Sequence, residues 1–180
     1  MLDRYSPAQS IEDTDAFPPA DRADFIEGMS RVAMAVSVVT TDGIAGKDGM
    51  AITAMSSVSA DGDRPTLLVC LKASSRPAPV VQANGVFCVN VLAEDQAAFS
   101  EHFSGRNGGT IEQWFALGQW SRLRSGAPAL DAALVNFDCA VTQTSTVGTH
   151  HIIIGSVLAI RSAQGKPLFY VNRGYGRIAD

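Results

Sequence analysis

Charge is scarce in this sequence: only 18% of its 180 residues are Asp, Glu, Lys or Arg, and like charges never gather into a run. The 14 basic against 18 acidic residues leave a formal charge of −4. A nucleic-acid binder that neutralises many phosphates carries a basic stripe, so that class is excluded. Cysteine is equally sparse. Cys70, Cys88 and Cys139 each sit inside an apolar run, without C-x-x-C spacing. That excludes a disulfide framework and a zinc knuckle, and it points to small core thiols in a reducing compartment. No apolar run approaches the roughly 18 residues that a bilayer span requires. Met1 to Pro19 carries Asp3, Glu12, Asp13 and Asp15 where a secretory signal needs a basic start and an apolar middle. A soluble, cytoplasmic protein is expected.

Catalytic signatures are missing as well. The sequence has no G-x-x-x-x-G-K-[ST], H-E-x-x-H, G-x-S-x-G or G-x-G-x-x-G, so P-loop, zinc-protease, hydrolase-elbow and Rossmann readings lose their support. The histidines are His102, His150 and His151. An adjacent pair in a strand points to opposite faces, so no metal site is expected. What is present is apolar: 46% of the chain, with 16 Gly and 8 Pro, a composition that is neither disordered nor collagen-like. Such a length suits one domain around a continuous core.

Along the chain, residues 1–20 lack periodicity and read as a flexible N-terminal arm, with the domain proper at 21–180. Phe25, Met29, Val32 and Ala33 recur at helical spacing and place a short helix near Asp21 to Ser30. Seven strands are expected, at Ala35 to Thr41, Ala51 to Ser59, Thr66 to Leu71, Val86 to Leu92, Leu134 to Thr144, Ile152 to Ile160 and Leu168 to Val171. Gly43, Gly46 and Gly49 read as a flexible turn, Ala78 to Asn84 and Asp95 to Phe103 as brief helices, and Gly105 to Pro128 as a surface lobe. Many strands with few helices predict a mainly β, α+β fold: a closed antiparallel barrel with peripheral helices, because closure removes edge strands.

Three stretches carry chemistry. Gly49 to Ser59 is rich in small and hydroxyl residues where a buried strand would hold Val and Ile, which leaves backbone and hydroxyls open to a planar polar ligand. An edge strand with its hydroxyls in water explains the same composition. Lys72-Ala73-Ser74-Ser75-Arg76-Pro77 ends a strand and opens a helix, where free N–H groups, hydroxyls and cations suit a phosphate; a capped helix with solvated charges is the alternative. In His102-Phe103-Ser104-Gly105-Arg106, Phe could face a ring and Arg a phosphate, or the Arg could simply stay in solvent.

The ordered set Gly49 to Ser59, Leu68 to Ser75, Phe87-Cys88-Val89-Asn90-Val91-Leu92, His102-Phe103-Ser104-Gly105, Gly148-Thr149-His150 and Leu168-Phe169-Tyr170 resembles the short-chain flavin reductase family. The likeness runs from about Phe25 to Tyr175. It implies an FMN-binding split β-barrel, a homodimer, FMN or FAD as flavin, NADH or NADPH as hydride donor, and a partner monooxygenase that takes up reduced flavin. Carried over position by position, Ile52, Thr53, Ala54, Met55 and Ser57 would line the flavin ring and ribityl chain. Lys72, Ala73, Ser74 and Ser75 would follow its tail and phosphate. Phe103, Ser104 and Gly105 would border the flavin, His150 would lie near the nicotinamide, and Tyr175 would contact either cofactor. The chain departs from the family at Ala51-Ile52, where relatives carry Thr-Ala, and at Gly176, where an aromatic is commonly followed by His.

The resemblance implies hydride transfer by positioning, with no acid–base residue required. Two other classes fit the same barrel: a flavin-binding electron carrier without NAD(P)H oxidation, and a non-catalytic barrel that binds an apolar ligand or partner, with Trp114 and Trp120 at its mouth.

Overall fold

The computed structural model describes residues 18–178, so the expected arm falls almost wholly outside the described residues. In chain order the elements are α1 (Arg22–Ser30), β1 (Met34–Ala35), β2 (Ser37–Thr41), β3 (Asp48–Ile52), β4 (Met55–Ser59), β5 (Thr66–Lys72), α2 (Pro77–Asn84) and β6 (Val86–Val91). There follow α3 (Ala97–Phe103), α4 (Ile111–Phe115), β7 (Trp120–Arg122), β8 (Pro128–Leu130), β9 (Val135–Val147), β10 (His150–Ser162), β11 (Phe169–Val171) and β12 (Gly174–Gly176).

Seven strands form one antiparallel sheet in the order β3-β2-β6-β9-β10-β5-β4. Its two outermost strands, β3 and β4, are consecutive in the chain and joined by only Thr53-Ala54. The sheet must therefore curl until its ends meet. The result is an antiparallel split barrel with short peripheral helices, a mainly β fold. The continuous strand expected over Ala51 to Ser59 is thus two strands, one at each sheet edge, with the turn between them stitched by Met55 N–H to Thr53 O (3.1 Å) and Cys70 N–H to Ala54 O (3.0 Å).

The barrel interior is packed by Val39, Val69, Leu71, Val81, Phe87 and Ile153. A second apolar cluster lies outside it, where Val36, Val38, Leu92, Phe103, Ile111 and Phe115 bring α3 and α4 onto β2. The segment read as a surface lobe is therefore partly core. Its Ile111 and Phe115 are buried because a capping box at Thr110, with Gln113 reciprocating, starts α4 at the right place. Three short strands were not anticipated: β7 and β8 pair with each other, and β12 turns back on β11 through Asn172-Arg173, both at positive φ. No helix among the described residues is long and apolar enough to cross a membrane.

A buried polar network holds the strands in register. Asn90 of β6 is fully buried and uses all of its side-chain amide. Its Nδ2 donates to Val38 O (2.9 Å) and Thr40 Oγ1 (3.0 Å) on β2. Its Oδ1 accepts from Leu130 N on β8 and Asn136 Nδ2 on β9, both at 2.8 Å. Asn136 passes the network to β10 by accepting from Arg161 Nε at 2.8 Å. Replacing Asn90 with Ala leaves the Leu130 N–H and the Val38 carbonyl without these partners. The variant should lose about 3 kcal/mol, lowering Tm by roughly 10 °C for a chain of this length. Thermal unfolding measures it, and a loss below about 1 kcal/mol would contradict the role given to Asn90.

Candidate functional site

Two adjoining depressions share Ser104, just beyond the end of α3. The first, of about 200 Å³, has an apolar floor of Val36, Ala51 and Ile52, hydroxyls from Thr53 and Ser104, and a wall of Tyr170 and Tyr175. The two tyrosines are register partners on the β11–β12 hairpin and meet edge to face, with ring centroids 5.5 Å apart. Arg106 closes the cleft, its guanidinium 5.9 Å from the centre of the Tyr170 ring.

The second depression, also about 200 Å³, lies between Gly49, Met50, Ser75, Arg76, Gly105 and Trp114. Arg76 donates to Asp48 at 2.9 Å and lies over the Trp114 ring. Asp48 also accepts from Gly49 N–H at 2.7 Å, yet burial dominates and pushes its carboxyl above the usual aspartate range. Ser75 turns its hydroxyl toward the Met50 sulfur at 3.6 Å.

Both depressions depend on how β3 meets α3. Gly49 is not part of a flexible turn; it is buried in β3, and the Phe103 ring rests against its bare backbone. A Cβ there would come within 2.9 Å of both Phe103 Cε1 and Val39 O. Phe103 is held from the other side by Phe115, Trp114 and Trp120, with centroids 5.3, 5.7 and 5.9 Å away. Trp114 and Trp120 thus clamp the core.

Ile52, Thr53, Ser75, Phe103, Ser104, Gly105 and Tyr175 converge on these two depressions. The other expected residues lie elsewhere. Ala54 and Ser74 are exposed at turns. Met55 and Ser57 line a separate groove of about 460 Å³ with Val58, Phe137, Val157 and Ile160. Ala73 N–H donates to Thr149 O at 2.9 Å, and Lys72 is the register partner of His150. His150 bonds Thr149 through Nδ1 at 3.0 Å and stands at the exposed tip of the β9–β10 hairpin.

The helix start expected to cradle phosphate is poorer in donors than anticipated. α2 begins Pro77-Ala78-Pro79, so two of its first three residues have no N–H, and Ala78 is fully buried. Any anion near Ser75 must be met by side chains and by the loop. Sequence reasoning missed Val36, Ser100 and Tyr170 as cleft residues. Tyr170 was legible as part of a strand and of the resemblance but not as a cleft residue, because it is sheet pairing that carries it beside Tyr175.

Gly176 has a physical reason. The Phe169 side chain fills the space that a Cβ at 176 would need, so the aromatic–His pair of the resemblance has no room here.

The residues fit a planar ring bearing a phosphate. Among the described residues, the linings combine small residues, hydroxyl donors and aromatic walls with two arginines and no carboxylate. Each depression alone falls short of the roughly 300–1,000 Å³ of ordinary ligand pockets, so a ligand of that size needs both or a further wall.

A family model described as flavin reductase like domain matches residues 29–179. The chain is 38% identical over 180 residues to the FMN reductase (NADH) RutF of Variovorax paradoxus (strain S110), covering 99% of this chain and 98% of that protein. Among solved structures, it is similar to BorF, the flavin reductase component of a bacterial two-component tryptophan halogenase, with TM-score 0.80 and 28% identity, covering 89% of this chain and 99% of the other. It is also similar to the styrene monooxygenase flavin reductase of Pseudomonas putida S12, with TM-score 0.73 and 27% identity over 87% and 97% of the two chains.

Substituting Gly176 with Ala should lower Tm by several degrees, the usual consequence of overpacking at about 1–3 kcal/mol. Adding Phe169→Ala should make the second substitution nearly free of further loss. Strictly additive losses would exclude the contact.

Proposed function

The chain belongs to the flavin reductase family, and on that premise we propose that it is an NADH-dependent flavin oxidoreductase whose reduced flavin serves a partner monooxygenase. The observation that carries this reading is the pair of joined depressions, one walled by Tyr170 and Tyr175 and the other edged by Ser75 and Arg76, without a carboxylate in either lining. Bound together, the two cofactors would supply the chemistry, a hydride from NADH and a proton from solvent passing to the flavin with release of NAD+. The protein's part is placement: the apolar floor of Val36, Ala51 and Ile52 excludes water from one ring face, and Thr53 and Ser104 offer hydroxyls to polar edges. No acid–base residue is needed.

In this reading Ile52, Thr53, Phe103, Ser104, Gly105 and Tyr175 hold the ring system, and Ser75 leads toward the phosphate with Lys72, Ala73 and Ser74 on the same loop. The bulk of Ile52 and the missing hydroxyl at Ala51 make the floor more apolar than the Thr-Ala of relatives. The partner is proposed from the relatives, since BorF and the Pseudomonas putida protein are reductase components serving a halogenase and a styrene monooxygenase. A cytoplasmic setting accords with the free thiols of Cys70, Cys88 and Cys139, the last two buried. Burial pushes the Cys139 thiol up to about 12 and holds it unreactive.

A homodimer completes the proposal. The small depressions call for another wall, and the groove of Met55, Val58, Phe137, Val157 and Ile160 leaves apolar surface uncovered. His150, Ala54, Met55 and Ser57, which lie outside the two depressions, would then face the flavin sites across the dimer.

Purified protein given FMN and NADH should oxidise the NADH, read as loss of the nicotinamide absorbance band, and NADPH should serve less well. Absence of turnover with FMN, FAD and riboflavin alike would overturn the reading in favour of a carrier or binding barrel. Light scattering on the eluted protein should give twice the 19.0 kDa chain mass; a monomer of undiminished flavin affinity would remove the dimer.

A further inference from the structure

One cation at the cleft has no carboxylate within salt-bridge distance among the described residues, although the Glu101 charge on α3 also acts on it. Arg106 is the only charged residue among the described residues that line the first depression. It sits in the loop after α3, two residues beyond Ser104, and its side chain lies over Tyr170. Hydrogen bonding to the Tyr170 hydroxyl strengthens its hold on its proton. Among the described residues it forms no ion pair, in contrast to Arg76, whose charge at the second depression is met by Asp48 at 2.9 Å.

This difference polarises the site. At one end, Ser75 and a neutralised Arg76 suit a ligand tail that brings its own hydration. At the other end, a guanidinium without a salt bridge, set against an aromatic face, borders a cleft whose other described lining residues are uncharged. A cation–π seat keeps such a group in place while leaving N–H donors beyond the one shared with Tyr170 for a ligand.

We infer that Arg106 binds the pyrophosphate of the nicotinamide dinucleotide and so sets the specificity of the site for a dinucleotide hydride donor. This rests on the reductase reading above. A donor bringing its nicotinamide against a flavin ring would have to enter from solvent, and Arg106 is exposed beside the first depression. On the reading above, the flavin phosphate would lie toward Ser75, in the second depression beyond Ser104. A guanidinium matches two neighbouring phosphoryl oxygens with a bidentate fork, which a lysine at the same place would not. Arg106 is a specificity-determining residue here and takes no part in moving the hydride.

The test uses Arg106→Ala and Arg106→Lys in the full chain, with thermal unfolding to establish that both fold; the side chain is exposed, so Tm should stay within about 2 °C of the parent. Calorimetric titration of NAD+ into flavin-free protein gives a readout independent of turnover. Arg106→Ala should weaken binding about 10- to 100-fold, the range for one lost charge-assisted, bidentate contact, and Arg106→Lys should recover only part. In steady state, KM for NADH should rise with kcat unchanged. Turnover with a phosphate-free N-alkyl dihydronicotinamide should be unaltered, and so should the ratio of KM for FMN to that for riboflavin. Raising the ionic strength should raise KM for NADH in the parent and much less in Arg106→Ala.

Unchanged NAD+ binding in Arg106→Ala would overturn the inference. So would a variant that loses its preference for FMN over riboflavin while NADH kinetics stay the same, which would give Arg106 to the flavin phosphate instead. A parent protein that binds NAD+ through Arg106 yet oxidises NADH with no flavin would overturn the reductase reading and leave the Arg106 contact standing.

Discussion

The cleft depends on a ring seated on a glycine. Phe103 closes on the bare backbone of Gly49, and that contact fixes the distance between β3 and the end of α3. Ser104 and Gly105 follow Phe103 directly, and Met50, Ala51 and Ile52 follow Gly49, so one contact sets the separation of the two sides of the site. Phe115, Trp114 and Trp120 pack around the same ring, each with its own anchor: the Trp114 indole donates to Gly108 O at 2.7 Å and Trp120 to Phe115 O at 2.8 Å. An apolar cluster thus does the positioning that a catalytic triad would do with hydrogen bonds elsewhere.

Polar chemistry ties the same cluster to the sheet, since Asn90 bonds the backbone of Val38 and Leu130, both members of it. The Asn90 and Asn136 amides join β2, β6, β8 and β9, and Arg161 extends the chain of contacts to Ser121 and Asp131. Nearby, the buried Asp138 accepts from the backbone and hydroxyl of Ser125, fixing the segment that leads into β8. Buried polar groups of this kind hold register because a slip would leave each of them unpaired. Directional bonds thus fix the register of the strands that carry the apolar cluster.

Much of the barrel was legible in the sequence because its strands are β-branched runs fenced by turn residues; Ser37–Thr41, Thr66–Lys72 and Val86–Val91 stand close to their expected places. The break at Thr53-Ala54 was not, since nothing in a row of small residues marks where a chain crosses from one sheet edge to the other. Phe103, Ser104 and Gly105 could be singled out by local composition and by resemblance, whereas Tyr170 and Val36 reach the cleft through pairings with no local signature. The Pro77-Ala78-Pro79 start of α2 was fully visible, but its meaning is clear only when donors are counted one by one. A proline that favours a helix start also removes the donor that an anion would use.

The first helix belongs to a different regime from the barrel. None of α1 is buried, and it is joined to the rest by Asn172 N–H to Ser30 O at 2.6 Å and by Arg173 to Glu27 at 2.8 Å, both partners lying in the tight turn that also carries Tyr170 and Tyr175. In the language of native-state hydrogen exchange, an element with no buried residue such as α1 is expected to open at little cost in free energy, while the buried amides of β2 and β6 are expected to exchange only with global unfolding. The turn that shapes the aromatic wall of the cleft is thus tied to a helix with no buried residue. Whatever engages or releases α1 acts on that wall without disturbing the barrel.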